Sequence, residues 1–133
     1  MTLPAILPVA AATFAAFMAG GLWYGPLFGK AWQAEHAMTN EQWARANKPL
    51  LFVISIVCEG VAALALSHVL AHIPHTFAIT MMIAFGAAVG FVLPALVMNY
   101  SFALKSWKLI AIDAGHWLMV FLVIGLVFAA FGV

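Results

Sequence analysis

The chain has 133 residues, 67% hydrophobic and 7% charged, with a formal net charge of +1. Soluble domains carry about 25% charged residues and cannot hide so much apolar surface in so small a volume, so lipid must be the solvent for most of this chain. The near-neutral charge and the lack of a basic run argue against a nucleic-acid partner, and the single cysteine, Cys58, excludes an internal disulfide.

The first apolar segment runs from about Leu3 to Tyr24. It has no Lys or Arg before Lys30 and is too long for a signal-peptide core, so it reads as a retained membrane helix. Pro4 and Pro8 fall in its first turns, where proline is tolerated. Ala12, Ala16 and Gly20 give it a face of small residues. Gly25-Pro26 should end it, because proline disfavours helical geometry at the residue before it.

Residues 25–48 form the only sizeable polar region. Thr39 and Gln42 match a capping box, with Met38 and Trp43 placed to form its hydrophobic staple. The pattern predicts a short interfacial helix over about Asn40–Asn47, with Trp32 and Trp43 resting its flanks on the membrane surface.

The second apolar segment, Pro49 to Ile73, would span roughly 37 Å as a helix, enough to cross a bilayer with some tilt. Its one formally charged side chain is Glu59, roughly 15 Å from the nearer end. An ionisable group at that depth faces protein or water rather than lipid. Cys58 beside it reads as a small inert apolar residue. His68, His72 and His75 follow at i, i+4 and i+7, on a stripe turned roughly 180° from Glu59. Two imidazoles four apart are half of a metal site, but no Cys, Asp or Glu lies on that side of the membrane to complete it. The stripe therefore reads as interfacial histidines, with a metal site between subunits as the weaker alternative.

The third segment, about Phe77 to Tyr100, carries Gly86 and Gly90 among Ala84, Ala87 and Ala88, a spacing that lets another helix approach closely. Pro94 should kink it and free the carbonyl of Gly90. The fourth, about Lys108 to Val133, places Asp113 and His116 three apart on one face, about 7 and 12 Å deep. Asn99 sits near the same interface. A cluster of Glu59, Asp113, His116 and Asn99 is therefore allowed. The short turns Pro74-His75-Thr76 and Ser101–Trp107 should make consecutive helices antiparallel neighbours.

All five basic residues, Lys30, Arg45, Lys48, Lys105 and Lys108, fall on one side of this layout. The positive-inside rule makes that side cytoplasmic and puts both termini outside. Trp23, Tyr24, Tyr100 and Trp107 mark the cytoplasmic interface.

The run Gly21-Leu22-Trp23-Tyr24-Gly25-Pro26-Leu27-Phe28-Gly29-Lys30-Ala31-Trp32 resembles the opening signature of a family of small bacterial integral membrane proteins known only as a domain of unknown function. The run Lys108–His116 is similar to that family's closing segment. The resemblance implies a four-helix fold in a bacterial inner membrane and brings no established activity. Trp23, Tyr24, Gly25, Pro26 and Trp32 are its signature positions, and a structural role explains them.

The expected fold is all-α: one membrane domain over residues 1–133, with four transmembrane helices in an antiparallel bundle and a short interfacial helix in the first, cytoplasmic loop. Three functions stay open, an intramembrane enzyme being the least supported of them. The first is an oligomeric small-solute or proton-coupled transporter or channel using Glu59, Asp113, His116 and Asn99. The second is a non-enzymatic accessory or scaffold protein whose polar residues only fix helix packing. No phosphate loop, nucleophile elbow or triad context for Ser55, Ser67, Ser101 or Ser106 appears, so neither an enzyme nor a cofactor is expected. Four helices enclose little volume, which points to a homodimer or higher oligomer in the lipid bilayer, packed through small-residue faces.

Overall fold

The computed structural model describes residues 3–74 and 76–133. Helix α1 (Leu3–Leu22) runs into a π-helical turn, Trp23–Leu27. Two short helices follow, α2 (Gly29–Glu35) and α3 (Asn40–Ala44). The long α4 (Lys48–Leu70) comes next. Helix α5 (Phe77–Ala87) continues through a second π-helical turn, Ala88–Val92, into α6 (Leu93–Phe102). Helix α7 (Trp107–Phe131) closes the chain. There is no strand among the described residues. Four stretches are long and apolar enough to cross a membrane: Ile6–Leu27, Lys48–Leu70, Phe77–Phe102 and Trp107–Phe131.

Side chains that satisfy free backbone groups mark the helix ends. Asn47 Oδ1 accepts from Leu50 N–H to open α4, with Pro49 in the first turn, where a missing N–H costs nothing. Thr76 caps α5 and Ser106 caps α7. The expected capping box is present at α3: Gln42 N–H donates to Thr39 Oγ1 at 3.1 Å, and Thr39 N–H donates to Gln42 Oε1 at 2.9 Å. Gly132, at φ 72°, ends α7: its N–H reaches Ala129 O, and Val133 N–H reaches Phe128 O at 2.9 Å. This is the Schellman arrangement, which needs a left-handed residue at that position.

Helix α7 packs along α1 and against α5 and α6, while α4 lies against α1. The fully buried residues are mostly small on α1 and α5 (Ala12, Ala16, Ala84) and large on α7 (Val120, Ile124, Phe128). Small residues opposite large ones let the axes approach and still fill the space. The fit is closest at Gly125, where a Cβ would stand 2.8 Å from that of Ala84. Helices α4 and α5 scarcely meet, although a short turn joins them. This corrects the expectation that the turn alone makes them neighbours. A turn fixes only where two helices begin, whereas their buried faces decide what they pack on. Those of α4 (Ala63, Leu66, Leu70) serve α1 and those of α5 serve α7.

Gly25-Pro26 does not stop the first helix. Pro26 offers no N–H to the carbonyl four residues back, and the coil widens instead, closing with Phe28 N–H to Trp23 O at 2.8 Å, five residues apart. Gly29 is required there, because a Cβ would collide with the Tyr24 carbonyl. The third span widens into its π-helical turn, Ala88–Val92, just before Pro94.

Candidate functional site

Three ionisable residues of the spans, Glu59, Asp113 and His116, gather near the end of the first span and the start of the fourth. Asp113, one and a half turns into α7, is 7% exposed. Both carboxyl oxygens are taken: Tyr24 Oη donates to Oδ1 at 2.5 Å and Tyr100 Oη donates to Oδ2 at 2.8 Å. Trp23, beside Tyr24, donates its indole N–H to Ile112 O at 3.0 Å. Two adjacent residues of the first span thus grip consecutive residues of α7, and both belong to the π-helical turn. The Trp23 ring fits because residue 115 is glycine, where a Cβ would come within 2.8 Å of it.

One turn deeper lies the second acid. Glu59 of α4 is 3% exposed, with Oε1 3.9 Å from His116 Nε2. That separation lies within ion-pair range and beyond hydrogen-bond length. Its other oxygen, Oε2, is buried without a hydrogen-bond partner. Gly20 of α1 lets the pair lie close to that helix: a Cβ there would stand 3.1 Å from Nε2 and 3.5 Å from Oε1. The Tyr24 ring covers His116 at 4.8 Å between centroids, so His116 lies between the two acids. An unpartnered buried carboxyl oxygen costs on the order of 1–3 kcal/mol.

A family described as Protein of unknown function (DUF1761) matches residues 7–129. The chain belongs to that family. Comparison with the curated proteins and with the solved structures returned no match. The stretch matched to DUF1761 contains both acids, the histidine and the two tyrosines.

Of the cluster expected from this DUF1761 sequence, Glu59 and His116 come together and Asp113 lies beside them. Asn99 is exposed, and the neighbouring Tyr100 reaches the aspartate instead. Sequence reasoning placed Tyr24 and Tyr100 at the membrane interface and overlooked their hydroxyls. Their depth matched that of Asp113, and this was the available signal. Among the signature positions, Trp23 and Tyr24 serve the site, Pro26 widens the helix, and Gly25 has nothing near it. Trp32 packs on Tyr24, His36 and Trp43, with centroids 6.0, 4.4 and 5.9 Å away. On the far side of α4, His68 and His72 are exposed with rings 4.6 Å apart, and His72 Nδ1 is 2.7 Å from the His68 carbonyl. His75 lies outside the described residues. Among the described residues no three His, Cys, Asp or Glu side chains group as metal ligands would. Cys58 is exposed on α4, on the outer surface of the helix assembly.

Proposed function

We propose that this chain is a multi-pass membrane protein in which Glu59 and His116 form a proton-handling site. In this reading the four spans run antiparallel with both termini outside, and the site lies in their cytoplasmic half. It couples a proton to the passage of a small solute, or passes the proton itself, in a homo-oligomer that supplies more wall than four helices can. No bond-making chemistry is assigned to it.

The observation that carries the reading is the contrast between the two acids. Asp113 has both oxygens hydrogen-bonded, as a packing element requires, whereas Glu59 has one oxygen orphaned and the other facing an imidazole at 3.9 Å. A carboxyl and an imidazole at such a distance exchange a proton with little movement. The test is flux across proteoliposomes under an imposed pH gradient. Wild-type protein should support it, and Glu59→Gln should reduce it to the level of protein-free vesicles. Full flux in Glu59→Gln, or none in wild type, overturns the proposal.

The saturated bonding of Asp113 favours a second reading, an accessory or scaffold protein whose polar groups only fix helix register. On that reading Glu59→Leu would raise stability, and flux would be absent throughout.

A further inference from the structure

The loop between the first and second spans is a folded lobe with two clefts. Ala37, at φ 51°, reverses the chain between α2 and α3. Gln33 Nε2 holds the reversal closed, donating to Met38 O at 3.1 Å and Asn40 Oδ1 at 2.7 Å. Two ties fix the lobe to the helices. Ser106 Oγ donates to Glu35, and Lys48 Nζ donates to Trp43 O at 2.9 Å while lying 5.1 Å from the Trp43 ring centroid. Between the lobe and the first turn of α4 is a cleft of about 560 Å³, lined by Trp32, His36, Met38, Trp43, Ala46 and Leu51 among others. That volume is typical of sites that take a small ligand. A second cleft, of about 350 Å³, shares Met38 and is lined by Lys30, Gln33 and Asn40. The first cleft is mostly apolar, with His36 and Gln42 in its wall, and its neighbour sets Lys30, Gln33 and Asn40 beside Ala34 and Met38. Lys30 forms no ion pair among the described residues. Glu35, the nearest acid in sequence, is engaged with Ser106.

We propose that the two clefts together seat one anionic phospholipid, with its phosphate at Lys30 and its glycerol and upper acyl region against Trp32, Trp43 and Leu51. The inference rests on the membrane reading above. In that reading the first turn of α4 lies at headgroup level, where tryptophan settles and lysine attracts anionic lipid. An apolar compartment joined to a cationic one, at that depth, matches the two chemistries of a phospholipid. A soluble anion would use only the lysine side.

Full-length protein in vesicles of phosphatidylcholine with varied phosphatidylglycerol, followed by native mass spectrometry of the retained lipid, tests this. Phosphatidylglycerol should be enriched about fivefold over its share in the vesicle. Lys30→Gln should bring enrichment to within about twofold of that share, and Trp43→Ala should lower total retained lipid. Both positions lie outside the spans, and unchanged elution in detergent confirms that the variants fold. Equal retention of the two lipids, or enrichment that survives Lys30→Gln, overturns the proposal. So does displacement of the lipid by millimolar inorganic phosphate, which would mark a free-anion site. Protein released from membranes by alkaline carbonate would instead defeat the membrane reading itself, so the two failures are distinguishable.

Discussion

Removing the Tyr100 hydroxyl takes away the 2.8 Å bond to Asp113 Oδ2, and removing that of Tyr24 takes away the 2.5 Å bond to Oδ1. Each change leaves a buried acceptor short of a donor, a loss of about 1–3 kcal/mol. Tyr24→Phe and Tyr100→Phe should each lower unfolding stability in detergent by that amount. Asp113→Asn should soften the effect of either, because the groups act as one unit. Losses below about 0.5 kcal/mol would mean that the aspartate finds water instead. Gly20 shows how closely the deeper pair is held. An alanine there presses on His116 Nε2 from 3.1 Å, so the imidazole has to move by a few tenths of an ångström.

For the helices, glycine has opposite meanings on two elements. Gly125 of α7 faces the Cβ of Ala84 at 2.8 Å across two packed helices, so Gly125→Ala must push α5 and α7 apart. A loss of about 1–3 kcal/mol is expected in an unfolding titration. Gly86 and Gly90 of the third span have nothing within 4 Å. In an isolated subunit, Gly86→Ala should be neutral or stabilising by up to about 1 kcal/mol, through helix propensity. If the same change destabilises and also abolishes crosslinked dimer in native membranes, that face is the contact between copies. The π-helical turn at Trp23–Leu27 belongs to this scale too. By widening the coil at Pro26, it gives Trp23 and Tyr24, which are adjacent in sequence, partners on consecutive residues of α7.

At the scale of the whole molecule, the proposed orientation rests on all five basic residues lying on one side of the spans. Alkaline phosphatase fused to either terminus should be active, and a fluorescent protein that folds only in the cytosol should stay dark at both. The reverse pattern would invert the layout and put Glu59 and His116 nearer the outer face. The number of spans, their approximate limits and the burial of Glu59 were legible in the sequence, because apolar run length and the cost of a charge in lipid are local properties. The partners of Asp113 were not. Asn99 and Tyr100 are adjacent in sequence, and only the rotation of α6 about its axis decides which of them turns toward α7.

Sequence alone determined that the chain is helical with four apolar spans, that its polar loop carries a capped helix, and that an acid lies deep in the second span. Each follows from composition and short-range spacing. Tertiary structure decided that Glu59 meets His116 beside a glycine of α1, that two tyrosines clamp Asp113, and that α4 and α5 go to different neighbours. Those outcomes depend on how small and large faces interlock between helices far apart in sequence, and on a proline that widens a helix where local rules would end it.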